Sequence, residues 1–236
     1  MQNELVHTQY HIRISNKARY LQLRMRPLGL EVVVPKKARL SQADIEQFVF
    51  EKKNWIEKHL SFLSKPAPLA PPHAITLSGL NEVVEISYQT TDATRLQLIM
   101  VSATQLLIKG STVSNTIQCV TLLKRWLKLK AFDFLEKRLT QLANDVQLPF
   151  RTLTIRDMTS RWGSCSSEKK INLCTNLIFL PSHLIDHVIL HELCHTKYMS
   201  HGKRFWSLLE RLDANAKNHV RELKRASKFI PSWLLS

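Results

Sequence analysis

Glycine is scarce in this 236-residue chain, with five in all, and there are only nine prolines and four cysteines. Collagen-like and low-complexity chains need far more glycine and proline. The cysteines Cys119, Cys165, Cys174 and Cys194 form no C-x-x-C pair. They do not read as a disulfide framework in a chain this long, so free thiols in a reducing compartment are the simplest account. No stretch approaches the roughly 18 apolar residues of a membrane span. The opening MQNELVHTQYHIRIS lacks the basic and then apolar regions of a secretory signal. No glycine-rich phosphate loop is visible. Acidic residues are also few, 19 against 34 Lys and Arg, for a net charge of +15. What remains is the expectation of a soluble, cytoplasmic protein with no membrane segment.

Apolar residues make up 44% of the chain, enough for a real core. The positive charge is spread along the sequence rather than gathered in a tail, and it favours anionic partners such as nucleotides or nucleic acid. The first half is strand-rich. Period-2 bursts at His11–Ile14, Tyr20–Met25 and Leu30–Val34 are followed by a helix that Ser41 caps and that runs at helical spacing to Leu63. The proline-rich stretch 65–72 ends that helix. Strand patterns return at 74–77, 83–88, 96–101 and 106–108. From Ser114 the period changes to helical as far as about Asn144. Short strands at 151–157 and Ile171–Asn176 precede a helix opened by Pro181 and Ser182, and two shorter helices fit 203–212 and 216–227. This order predicts an α+β fold, divided into a strand-rich region 1–112 with one helix and a helical catalytic half 113–236 with a small sheet.

Five of the ten histidines lie between positions 183 and 201, and among them is the H-E-x-x-H motif His191-Glu192-Leu193-Cys194-His195. Residues i and i+4 share one helix face, so His191 and His195 can reach one ion. Zinc takes such nitrogens at about 2.0–2.1 Å, and a catalytic zinc needs a third protein ligand. His201 lies far enough past His195 for the chain to leave the helix and turn back, with Gly202 easing the turn. Glu192 is long enough to reach a water beside the metal without ligating it. His183 and His187 continue the ladder, but the face drifts about 40° per step of four residues, so they read as capping or surface groups. Upstream, Gly163 suits a tight turn, Trp162 an apolar plug beneath the metal helix, and Arg161 a contact with substrate through its fork of donors.

Two motifs, TSRWGSCS (Thr159 to Ser166) and HELCH followed by SHGKRFW (Ser200 to Trp206), give the chain its resemblance to a known family. The chain resembles the YgjP-like metallopeptidases, a family that looks related to SprT-like zincins and the minimal gluzincin proteases. The likeness is strongest over 156–206 and extends over nearly the whole chain. It implies a zincin-like catalytic half and one zinc ion, with other divalent metals also compatible. His191, His195 and His201 would be the ligands and Glu192 the catalytic acid/base. The position at which metzincins carry glycine is Tyr198 here, so that clan is not assigned.

The resemblance implies hydrolysis of a peptide bond in a peptide or protein substrate. Glu192 would accept a proton as water attacks the carbonyl. By analogy with zincins, the strand Ile171–Asn176 would be the sheet edge to which an extended peptide adds, and Tyr198 is a candidate donor to the oxyanion. Two alternatives use the same charge and site. One is a metal-dependent nucleotide pyrophosphatase or phosphohydrolase with Arg161 on a phosphate; the other is a nucleic-acid-associated protease. A non-catalytic nucleic-acid-binding protein with a structural zinc is disfavoured, because such sites are normally closed by four ligands, commonly with cysteine.

Overall fold

Short alternating segments bounded by turn residues pair early in the chain. The structure is a computed structural model that describes residues 10–26, 29–60, 70–158 and 160–234. Strands β1 (Tyr10–Ser15), β2 (Gln22–Arg26) and β3 (Gly29–Pro35) form a sheet of order β1-β3-β2. β1 runs parallel to β3 and β2 antiparallel to it. Val32 and Val34 of β3 alternate inward and meet Ile45 in a small core. Ile45 belongs to helix α1 (Gln42–Glu51), whose start carries a reciprocal capping box. The Ser41 hydroxyl accepts from the Asp44 amide, and the Asp44 carboxylate accepts from the Ser41 amide at 2.7 Å. A break at Lys52 separates α1 from α2 (Lys53–Leu60), so the single helix expected from periodicity is two. The expected end at Leu63 lies outside the described residues.

The compact units of the chain part at 70/71, with Met1–Ala70 in one and Pro71–Leu234 in the other. The division expected from sequence lies at 112/113, and the strands after residue 73 share a core with the helix that follows them. Strands β4 (Ala74–Leu77), β5 (Glu82–Gln89), β6 (Gln97–Ser102) and β7 (Gln105–Lys109) form a sheet of order β4-β5-β7-β6. Alternate residues Ile75, Leu77, Val84, Ile86, Leu106 and Ile108 are buried in one cluster with Leu123, Leu127, Leu135 and Leu139 of α3 (Thr116–Asp145). Cutting after residue 112 would expose both faces of that contact to water.

A second small sheet carries strands β8 (Thr152–Arg156), β9 (Gly163–Cys165) and β10 (Lys170–Cys174) in the order β8-β10-β9. β10 is central, parallel to β8 and antiparallel to β9. The segment expected as a sheet edge, Ile171–Asn176, is therefore central, and the edges are β8 and β9, the latter a three-residue strand too short for periodicity to reveal. A 3₁₀ turn at Thr175–Phe179 leads to α4 (Ser182–His195), with Pro181 rather than Ser182 at the cap and no side-chain capping bond. α4 carries the motif. Leu184, Ile185, Val188, Ile189, Leu190, Leu193 and Cys194 are all buried, so apolar groups surround it on most sides. α5 (Lys203–Leu212) and α6 (Ala216–Leu223) pack against it. Among the described residues, six α-helices and three small mixed sheets make the fold α+β, as expected. Among the described residues, no helix is long and apolar enough to cross a membrane.

Candidate metal centre

The last turn of α4 presents His191 and His195 on one face, and the loop after it returns His201 to them. The Nε2 atoms of His195 and His201 stand 3.2 and 3.0 Å from Nε2 of His191. The ligand atoms of the three rings lie within 4.8 Å of one another. Three nitrogens around one zinc at tetrahedral angles are separated by about 3.3 Å, so the set fits one ion with little adjustment. Phe205 of α5 is fully buried beneath the rings, with centroids 4.9, 4.6 and 4.6 Å from those of His191, His195 and His201. The chain turns back before α5 without using glycine's freedom. Gly202 has φ −75°, and a Cβ there would meet only Ser200 Oγ at 3.9 Å, so the expected role for this glycine does not hold.

The protonation pattern also suits a cation. Nδ1 of His195 lies 3.0 Å from the Tyr198 carbonyl, which can only accept. Nδ1 therefore carries the proton, and the neutral ring offers its lone pair at Nε2. Burial and then the neighbouring imidazoles push the pKa of His191 down to about 3. Burial pushes His195 down too, against its hydrogen bond to the Tyr198 carbonyl. Rings that stay neutral are competent ligands. Tyr198 meets the centre through this carbonyl, while its ring packs on the core.

Glu192 is 5% exposed, and among the described residues its Oε2 has no hydrogen-bond partner. Burial raises its pKa to about 8, with the Arg161 guanidinium acting in the opposite direction. A buried carboxylate oxygen without a partner is costly unless a bound group supplies one. The reason Glu192 sits there lies in β9. A Cβ on Gly163 would stand 2.6 Å from Glu192 Oε1, 2.8 Å from its Cγ and 2.9 Å from its Cδ. Gly163 is thus not the tight turn read from sequence but a strand residue whose missing side chain makes room for the carboxylate. Arg161 is exposed just before this strand, and Trp162 is half-buried against the main core, with its carbonyl accepting from the Cys174 amide at 2.8 Å. Cys165 is half-buried on β9; burial and then the Glu192 charge push its thiol up to about 11.

His187 corrects an expectation. It is 2% exposed rather than a surface group, and its Nδ1 donates to Asp213 Oδ2 at 2.6 Å. His219 Nδ1 stands 2.8 Å from the same oxygen. Periodicity placed His187 off the ligand face but could not foresee a partner 26 residues away. His183 is exposed, as expected, and pairs with Glu222 at 3.0 Å.

The chain is similar to two solved metallopeptidase structures over part of its length. The metallopeptidase zymogen abylysin of Pyrococcus abyssi is 20% identical, with a TM-score of 0.36, over 40% of this chain and 93% of its own. The zymogen jannalysin of Methanocaldococcus jannaschii is 23% identical, with a TM-score of 0.35, over 41% of this chain and 97% of its own. No curated protein matches the chain. The YgjP-like, metallopeptidase domain family matches residues 19–226, and the chain therefore belongs to the YgjP-like metallopeptidases and is a metal-dependent hydrolase.

Proposed function

We propose that the chain is a zinc metallopeptidase in which His191, His195 and His201 hold the ion and Glu192 is the general acid and base. The observation that carries this is the convergence of three Nε2 atoms beside a buried glutamate whose Oε2 has no partner among the described residues. Zinc, when bound, supplies a Lewis acid for water and for the scissile carbonyl. Glu192 Oε2 takes a proton from the attacking water and returns it to the leaving amine nitrogen. Burial of Glu192 strengthens the electrostatics of both transfers. The free side of β9 offers its backbone groups to an extended peptide, which would add as an antiparallel or parallel strand next to Glu192. Arg161, beside the same edge, would contact the substrate. A free strand edge favours a peptide over a nucleotide, for which the chain has no glycine-rich loop.

The test is Glu192→Gln, assayed on a fluorogenic denatured protein beside zinc stoichiometry. We expect bound zinc to be retained and turnover to fall by about 10³-fold or more. Wild-type turnover in this variant would overturn the role of Glu192. His201→Ala should lose the ion from this centre, and retained stoichiometry there would refute the third ligand.

A further inference from the structure

We propose that His187, Asp213 and His219 form a second transition-metal site, which takes zinc and joins α4 to α6. Each ligand comes from a different segment. His187 is in α4, Asp213 follows the last residue of α5, and His219 is in α6. Their ligand atoms all lie within 4.8 Å of one another. His187 Nδ1 and His219 Nδ1 point at one oxygen, Asp213 Oδ2, at 2.6 and 2.8 Å. The other carboxylate oxygen is held by the Asn215 amide at 3.0 Å, the kind of outer hydrogen bond that orients a ligating carboxylate.

Two imidazoles and a carboxylate are a donor set that zinc accepts, at about 2.0–2.2 Å from each atom. Donors around one zinc stand about 3.3 Å apart, so the two nitrogens would move away from Asp213 Oδ2 by about 0.5–0.7 Å. On binding at Nδ1, each neutral ring shifts its proton to Nε2, so no proton need leave the histidines. The site is buried but reachable. The side chains of His187, Asp213 and His219 are 2%, 9% and 14% exposed. The exposed His183 ring lies 5.1 Å from that of His219. The site is distinct from the first: the His187 and His191 rings are 6.3 Å apart, and no ligand is shared.

Zinc counting on the full chain tests this. Chelator-stripped protein is reloaded with zinc, dialysed and analysed by mass spectrometry of the metal. We expect two ions per wild-type chain, one in His219→Ala, one in His201→Ala and none in the double variant. A wild-type chain with a single ion, or His219→Ala matching the wild type, would overturn the second site. Two ions in His201→Ala with one in His219→Ala would instead count against the first centre alone. Thermal melts cover poor folding of a variant. Zinc should raise the midpoint of His201→Ala, and Asp213→Asn in that background should weaken the effect by about tenfold or more in zinc concentration. A midpoint shift unaffected by Asp213→Asn would also overturn the proposal.

Discussion

Replacing Gly163 with alanine tests how the base is placed. The added Cβ would sit 2.6 Å from Glu192 Oε1 and 2.8 Å from Cγ. Ordinary heavy-atom contacts start at about 3.5 Å, so something must yield by about 0.7–0.9 Å. The backbone of β9 is held on its inner side by antiparallel pairing, with Leu173 opposite Gly163. α4 is wedged among buried neighbours. The Glu192 side chain is the softest part, and it moves. A displacement of about 1 Å in a catalytic group costs about 10²-fold in rate, or about 2.7 kcal/mol of transition-state stabilisation. The cost to stability is that of a modest overpacking, about 1–3 kcal/mol. We therefore expect kcat to fall by about 10²-fold with zinc stoichiometry unchanged. KM should move much less, because the peptide edge stays in place. In a Glu192→Gln background the alanine should add almost nothing, since the group it displaces no longer transfers protons. Wild-type kcat in Gly163→Ala, or full additivity in the double variant, would refute the reasoning.

Other predictions follow from contacts away from the centre. Arg138 of α3 donates two hydrogen bonds to Asp186 of α4, both at 2.6 Å. Arg138→Ala should cost about 2 kcal/mol, seen as a fall of about 4–8 °C in the melting midpoint of the unit that holds the centre; an unchanged midpoint would refute the clamp. The Ser41 hydroxyl and amide hold the Asp44 pKa below its ordinary value. Its contribution is therefore complete above the unfolded-chain value of about 3.9 and lost as pH falls through the lower folded value. The stability difference between wild type and Asp44→Asn should be largest near neutral pH and fade as pH falls below the unfolded-chain value of about 3.9, measured by denaturant titration across that range. Burial raises all four cysteine pKa values, Cys165 to about 11 and Cys194 to about 12. Iodoacetamide at neutral pH should label the native protein slowly and the denatured protein at four sites, counted by mass.

Much of the fold was legible because local periodicity dominates there. The seven strands of the first half, the long α3 and the α5 boundaries follow apolar spacing and end at turn or cap residues. The same holds for the core of the centre. His191, Glu192 and His195 lie within one helical turn, and their geometry is fixed by helix pitch alone. His201 was legible as a donor of the right type at a reachable distance.

What escaped was set by tertiary contact. β9 is three residues long and leaves no periodic trace, so the neighbouring strand, which is central, was taken for a sheet edge. The partner of His187 depends on how α5 and α6 fold back on α4, which no i, i+4 rule encodes. Gly163 is the more instructive case. In a chain with five glycines, one inside a Trp-Gly-Ser-Cys run invited a turn. Its backbone is instead extended, and the reason for glycine is the approach of a carboxylate from another element. The motif on α4 supplies the glutamate, but whether its carboxylate can be buried free of steric conflict is decided on β9. A chain with H-E-x-x-H but a side chain at position 163 should bind metal and hydrolyse poorly. The RWGSC segment therefore shapes the place of Glu192 as much as the histidine helix does.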